Sequence, residues 1–179
     1  MSEVSTEYGK ALYELSEESG AEEKYLSEVR DIDGIFASCP EYLRLLGAPN
    51  IPVQERTGML DGSFGGRCEE YILSFMKLMV ERGYAHHIRE CFAEFEDIYL
   101  SRHGIVRARV QSAVALNEKQ VNALHAKLED YSKKKVEMSV TVVPSLIGGI
   151  RVELDGKLLE GSVRSRLDKL RSDILGTTI

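Results

Sequence analysis

No two cysteines in this 179-residue chain stand at C-x-x-C spacing, and the three present, Cys39, Cys68 and Cys91, are an odd number. A disulfide framework or a thiolate zinc cluster needs paired or closely set thiols, so neither is expected, and the cysteines read as reduced packing residues. No apolar run approaches the eighteen or so residues of a membrane-spanning helix. The opening residues 1–7 have neither the basic flank nor the apolar stretch of a signal peptide, so the chain is expected to stay on the cytoplasmic side. Also missing are a G-x-x-x-x-G-K-[ST] phosphate loop, a G-x-G-x-x-G after a strand and an H-E-x-x-H helix. Without a loop of backbone N–H groups to cradle phosphates, nucleotide hydrolysis by this chain alone is not expected.

Three short motifs invite chemistry and are better read as structure. His86-His87 are adjacent, and neighbours on a helix point about 100° apart, which suits no single metal ion. Asp61-Gly62-Ser63 resembles a fragment of a catalytic loop, but it precedes a double glycine with no histidine nearby in sequence and reads as a turn. Lys133-Lys134-Lys135 ends a helical pattern, where the dipole favours cations, and has no aromatic stacking motif beside it. We therefore expect no catalytic residue, no cofactor and no metal. No cluster of titratable groups converges as an enzyme pocket would require.

What the chain does hold is an ordinary globular composition, 43% hydrophobic and 29% charged with four prolines, in a length that allows one domain or two small ones. The net charge of −6 hides a split. Residues 1–104 carry 20 acids and 10 bases, whereas residues 105–179 carry 9 acids and 13 bases. Opposite net charges suggest two surfaces with different partners, the alternative being two solvated faces with none.

Hydrophobic periodicity changes at the same place. Before Gly104, Val4, Tyr8, Leu12 and Leu15, and then Tyr25, Val29, Ile32 and Phe36, recur at helical spacing. A short helix from Glu41 to Leu46 is bracketed by Pro40 and Pro49, a fourth begins near Pro52 and runs to Gly65-Gly66, a fifth covers about Cys68 to Arg82, and a sixth ends near His103-Gly104. The fifth is apolar over a wide arc, which fits either a groove-forming helix or a central one buried on both sides. After Gly104 the period becomes two. Val106, Ala108, Val110, Ser112 and Val114 alternate with Arg107, Arg109 and Gln111 as a half-buried strand. A helix capped by Asn117 with Gln120 follows, then a second strand through Val136, Met138, Val140 and Val142, expected to run parallel to the first. Ile150 to Leu154 form a third strand, Asp155-Gly156 a hairpin turn and Lys157 to Glu160 its return. Ser162 caps a last helix with Val163, Leu167, Leu170 and Ile174 inward. The expected fold is α+β, a six-helix bundle over 1–104 followed by a small β-α-β-β-α module over 105–179.

Two motifs in that module, residues 143–152 (VPSLIGGIRV) and 160–170 (EGSVRSRLDKL), joined by a short hairpin, resemble the C-terminal signature of the delta subunit of the rotary F-type ATP synthase, the family of the mitochondrial oligomycin sensitivity-conferring protein. Residues 8–12 (YGKAL) resemble the family's opening helix, residues 46–51 its mid-bundle proline turn and residues 112–116 (SAVAL) its first strand and turn. The sequence departs from the pattern at Val143, at Glu160 and at Glu81-Arg82-Gly83-Tyr84, while Ser162 and Arg164 match it directly.

The resemblance implies a non-catalytic connector that ties the catalytic head to the peripheral stalk, so that the head resists rotor torque. It implies one copy per complex, on the cytoplasmic face of the bacterial plasma membrane, touching the membrane only through the complex. The bundle would hold the N-terminal helix of an alpha subunit between its first and fifth helices, through Tyr8, Ala11, Leu15, Phe75, Met76 and Met79. The second module would meet the stalk's b subunits through Gly148, Gly149, Ser162, Arg164 and Arg166. Read without the resemblance, the chain also fits a free regulatory or RNA-binding module with a small basic domain, for which affinity falling steeply with salt is the discriminating observation.

Overall fold

Six stretches with helical periodicity fold as helices before the first strand forms: α1 (Glu3–Ser19), α2 (Glu22–Ser38), α3 (Pro40–Leu46), α4 (Val53–Phe64), α5 (Glu70–Glu81) and α6 (Ile88–Arg102). There follow β1 (Ile105–Ser112), α7 (Glu118–Ser132), β2 (Lys135–Val142), β3 (Ile150–Leu154) and β4 (Lys157–Glu160). This computed structural model describes residues 3–160, so the expected last helix, with Ser162, Arg164 and Arg166, lies outside the described residues. The chain divides between Tyr99 and Leu100 into two units, and the class is mixed α+β.

The first unit is organised around aromatic rings. Phe36 lies 6.0 Å from Tyr42, 6.0 Å from Phe64 and 6.4 Å from Phe92, so α2, α3, α4 and α6 converge on one side chain. Offset and edge-on ring pairs of this kind add about 0.5–1.5 kcal/mol each beyond the area they bury. Helix ends are tied by side chains as well. Arg56, itself buried, donates to the carbonyls of Leu46 (2.9 Å) and Ile51 (3.0 Å), satisfying acceptors left open where α3 stops before the Pro49 turn. The carboxylate of Glu28 accepts from the backbone N–H of Glu69, the residue that caps α5.

Two expectations are corrected here. Asp61-Gly62-Ser63 is no turn: it lies within α4, where Asp61 pairs with Lys77 of α5 and the Ser63 hydroxyl accepts from Tyr42 at 2.9 Å. The helix continues to Phe64 because Phe64 is buried in the aromatic cluster, and that packing outweighs the helix cost of Gly62. His86 and His87 sit not on an α-helix but on a 3₁₀ turn, Ala85–His87, with ring centroids 4.0 Å apart. The tighter turn brings the two rings together, and His87 Nδ1 lies 3.1 Å from Glu90.

The second unit is a four-stranded sheet of order β2-β1-β3-β4, with β1 parallel to β2 and antiparallel to β3. The parallel pair follows from the helical crossover. Asn117 accepts from the Gln120 N–H at 2.9 Å and Gln120 answers at 3.0 Å, a reciprocal cap that fixes where α7 begins. One sheet face carries Val106, Ala108, Val110, Val136, Val152 and Leu154, and Leu124 and Leu128 of α7 pack onto it. Asp155 (φ 50°) and Gly156 (φ 73°) both take the left-handed region, as a tight hairpin between β3 and β4 requires.

Candidate docking surfaces

Helix α1 does not present the face that its large apolar residues suggest. Its buried stripe is Ser5, Gly9, Leu12, Tyr13 and Ser16, mostly small residues. Gly9 explains why: a Cβ there would stand 2.7 Å from Glu94 Cβ and 2.8 Å from the Cys91 carbonyl oxygen, so α1 lies against α6 with no room for a side chain between them. Of the large residues, Leu12 and Tyr13 pack inward with this stripe and the others are turned to the rim. Val4, Tyr8 and Leu15 are half-buried and Ala11 is exposed, forming a stripe at i, i+4, i+7 and i+11 along the helix.

Beside that stripe runs a second one. On α5, Tyr71, Phe75 and Leu78 share a face at i, i+4 and i+7; Tyr71 is 54% exposed and Leu78 39%, while Phe75 is 7% exposed. The Phe75 ring meets Tyr8 edge-on at 6.5 Å, and Tyr84 meets the same tyrosine at 6.3 Å, closing one end. Two apolar stripes on neighbouring helices therefore flank a common aromatic floor. Single exposed apolar residues are ordinary on a protein surface, but two aligned stripes at helical spacing form a continuous patch.

The expected site residues fall into two layers. Tyr8, Ala11 and Leu15 reach the surface of this patch, whereas Met76 and Met79 are 0% exposed and belong to the interior of the unit beneath it. Tyr71 and Leu78 of α5 reach the surface and were not singled out by sequence reasoning. Their spacing from Phe75 is the signal that would have found them.

In the second unit, Gly148 and Gly149 lie in the connection between β2 and β3. Gly149 has φ 82°, and its carbonyl accepts from the Ala113 N–H at 3.3 Å, so the pair brings two loops together at one end of the sheet. Just before them, a 3₁₀ turn, Pro144–Leu146, leaves Ile147 at φ 66° and 68% exposed. A β-branched residue held in the left-handed region and turned to solvent is strained, and such positions concentrate where a chain contacts something else. Ser162, Arg164 and Arg166 lie outside the described residues. Among the described residues, no group of three or more His, Cys, Asp or Glu side chains is placed to hold a metal ion. No helix among them is long and apolar enough to cross a membrane.

Comparison with known proteins gives a consistent result. The model of the family described as ATP synthase delta (OSCP) subunit matches residues 4–174. The ATP synthase subunit delta of Clostridium perfringens is 33% identical over 168 residues, covering 94% of both chains. That of Chlorobium chlorochromatii is 30% identical over 172 residues, covering 96% of both. Among solved structures, a chain of the Toxoplasma gondii mitochondrial ATP synthase hexamer has the same fold, with a TM-score of 0.78 over 97% of this chain and 98% of that one, at 15% identity. On a match that runs through both units and includes the C-terminal signature, the chain belongs to the ATP synthase delta (OSCP) subunit family.

Proposed function

We propose that this chain is the non-catalytic connector of a rotary, proton-translocating F-type ATP synthase, linking the catalytic head to the peripheral stalk so that the head resists rotor torque. One copy would serve each complex, held at the cytoplasmic face of the bacterial plasma membrane by its partners alone. The helical unit, with α1 to α6 acting as one bundle, would grip the N-terminal helix of an alpha subunit. The second unit would meet the b subunits of the stalk. Such a role needs two separate surfaces and no reacting group.

The observation that carries this reading is the pair of apolar stripes, Val4-Tyr8-Ala11-Leu15 on α1 and Tyr71-Phe75-Leu78 on α5, with Tyr8 against Phe75 between them. An amphipathic helix laid along that patch would bury its own apolar face, which is the usual mode of helix-in-groove recognition. The test uses the full chain and a peptide corresponding to the N-terminal segment of the alpha subunit, titrated calorimetrically. Ala11→Asp with Leu78→Asp places two charges on exposed positions, so the fold is kept, and affinity should fall at least about a hundredfold because each charge would have to be desolvated. Unchanged affinity in a folded double variant would move the head contact elsewhere.

A further inference from the structure

Among the described residues, α7 packs on one face of the sheet of the second unit, where Val140 and Val142 near the end of β2 stay 37% and 48% exposed. Valines and leucines at alternate positions meet α7, and the pleat sends the intervening positions to the opposite face: Arg107, Arg109 and Gln111 on β1, Lys135, Glu137, Ser139 and Thr141 on β2, and Arg151 and Glu153 on β3. Near the middle of this face is a depression of about 220 Å³ lined by Arg109, Gln111, Arg151, Glu153 and Leu158.

Register explains its chemistry. Arg109 stands opposite Glu153 and Gln111 opposite Arg151, so the two arginines are diagonal neighbours across the antiparallel β1–β3 pair. Diagonal positions are about 7–8 Å apart, within reach of two long side chains that converge on one carboxylate. Glu153 pairs with the Arg109 guanidinium through one nitrogen at 3.3 Å, both residues line the depression, and the Arg109 side chain stays 59% exposed. Leu158, opposite Glu153 on β4 and 57% exposed, gives one apolar wall. By register the face carries Lys135, Arg107, Arg109 and Arg151 together with Glu137 and Glu153, on a half of the chain that is itself net positive.

We propose that this depression docks an acid-bearing segment of a stalk polypeptide, with one carboxylate between Arg109 and Arg151, a hydrogen bond to Gln111 and an aliphatic neighbour against Leu158. The inference rests on the reading that the second unit meets the stalk, and names where. Charge selects the occupant. Residues 161–179 of this chain carry Arg164, Arg166, Lys169 and Arg171 against Asp168 and Asp173, so they do not complement the face. Nucleic acid matches the charge but has no use for the leucine wall, since a basic strand surface that binds it normally adds aromatic rings, and this face has none.

Binding of the full chain is measured against three probes: the purified soluble part of the stalk polypeptides, the catalytic head and poly(U). Arg109→Gln with Arg151→Gln should weaken stalk binding at least about tenfold and leave head binding unchanged. Glu153→Gln leaves the sheet intact and removes a competing carboxylate, so it should tighten stalk binding about two- to fivefold. Leu158→Ser should weaken it about threefold. Amide exchange on β1 and β3 shows whether each variant keeps its sheet. If the stalk binds the parent chain and all three variants equally, the depression is not the site, though the connector reading stands. If the parent chain binds the head but not the stalk, the connector reading fails and takes this site with it. Poly(U) binding that depends on Arg109 and Arg151 and falls steeply with salt would replace the acidic partner with a nucleic acid.

Discussion

The two units are built from different materials. All five phenylalanines of the chain, Phe36, Phe64, Phe75, Phe92 and Phe95, lie in the first unit and are buried there, with Tyr13 and Tyr25 beside them. The buried core of the second unit is Val106, Ala108, Val110, Leu128, Val136, Val152 and Leu154, with no aromatic residue; Tyr131, in α7, is 64% exposed. An aromatic core lets helices meet at several angles around large flat groups, whereas a β-branched core suits a pleated face backed by one helix. The consequence is functional. The helical unit has its largest side chains inside and leaves a rim of leftover apolar residues on α1 and α5, whereas the sheet unit packs its apolar face against α7 only in part, with Val140 and Val142 exposed, and carries charged residues on the other face.

That contrast is broken most severely by putting charge into the first core. Met76→Asp with Met79→Asp, at two positions that are 0% exposed, should unfold the helical unit outright, since each unpaired buried carboxylate costs several kcal/mol. Circular dichroism at 222 nm should lose most of its helical signal, while amide exchange in β1 to β3 stays slow. A double variant with native helicity would mean that these methionines can swing to the surface and act in the groove directly. Next in size is truncation. Phe92→Ala should cost about 3–5 kcal/mol in urea unfolding of the first unit. Val152→Ala should cost the second unit about 1.6 kcal/mol, at about 0.8 kcal/mol for each buried carbon lost. Equal losses from the two variants would erase the distinction between the cores.

Much of this architecture was legible. Strand alternation located β1 to β4, the Asn117 and Gln120 pair marked the start of α7, and Asp155-Gly156 marked the hairpin, because these signals are local and each has one geometric meaning. The parallel β1–β2 pair followed from the crossover. The face of α1 was not legible. Periodicity weights large residues and grouped Val4, Tyr8, Leu12 and Leu15 at helical spacing, yet only Leu12 of the four is buried, because close approach to α6 selected a stripe of which Gly9 is the centre. Which residues of α5 reach the surface was hidden for a related reason: an apolar arc this wide has a buried half and a rim, and only the neighbours decide between them. The arginine pair on the outer sheet face depends on the register of β1 with β3, which no local signal fixes.

A smaller test follows from that close approach. Gly9→Ala introduces a methyl group 2.7 Å from Glu94 Cβ, and because the other close atom is the backbone carbonyl of Cys91, relief requires α1 to move away from α6. The expected loss is about 1–3 kcal/mol, read as a lower urea midpoint for the first unit only. Affinity for the alpha-subunit peptide should fall with it, since α1 forms one wall of the patch. An unchanged midpoint would show that α1 shifts freely and that the small-residue stripe is incidental.

The finest comparison uses thiols, because all three cysteines lie in the first unit and the second has none. Cys91 is fully buried, and burial, reinforced by the neighbouring carboxylates Glu90 and Glu94, pushes its thiol up to about 12. Cys68 is pushed upward by burial as well, with Glu28 and Glu69 adding to it, while Cys39 is exposed. Reactivity belongs to the thiolate, so a disulfide reagent at pH 8 should label Cys39 first, Cys68 more slowly and Cys91 only when the helical unit opens. The same shift gives a pH dependence with a definite sign. Between pH 9 and about 12 the unfolded thiol ionises and the folded one does not, so the unfolded chain binds fewer protons and stability falls as pH rises. The contribution of Cys91 is on the order of 1 kcal/mol at pH 10. Burial raises Tyr25, Tyr42 and Tyr99 too, so the alkaline loss in the first unit should continue beyond the thiol's own share. Cys91→Ala removes that share and should flatten the first part of the curve. Urea midpoints of both proteins at pH 8, 9 and 10 decide the matter: parallel curves would mean that Cys91 ionises in the folded unit as readily as in water, against its position beneath α1.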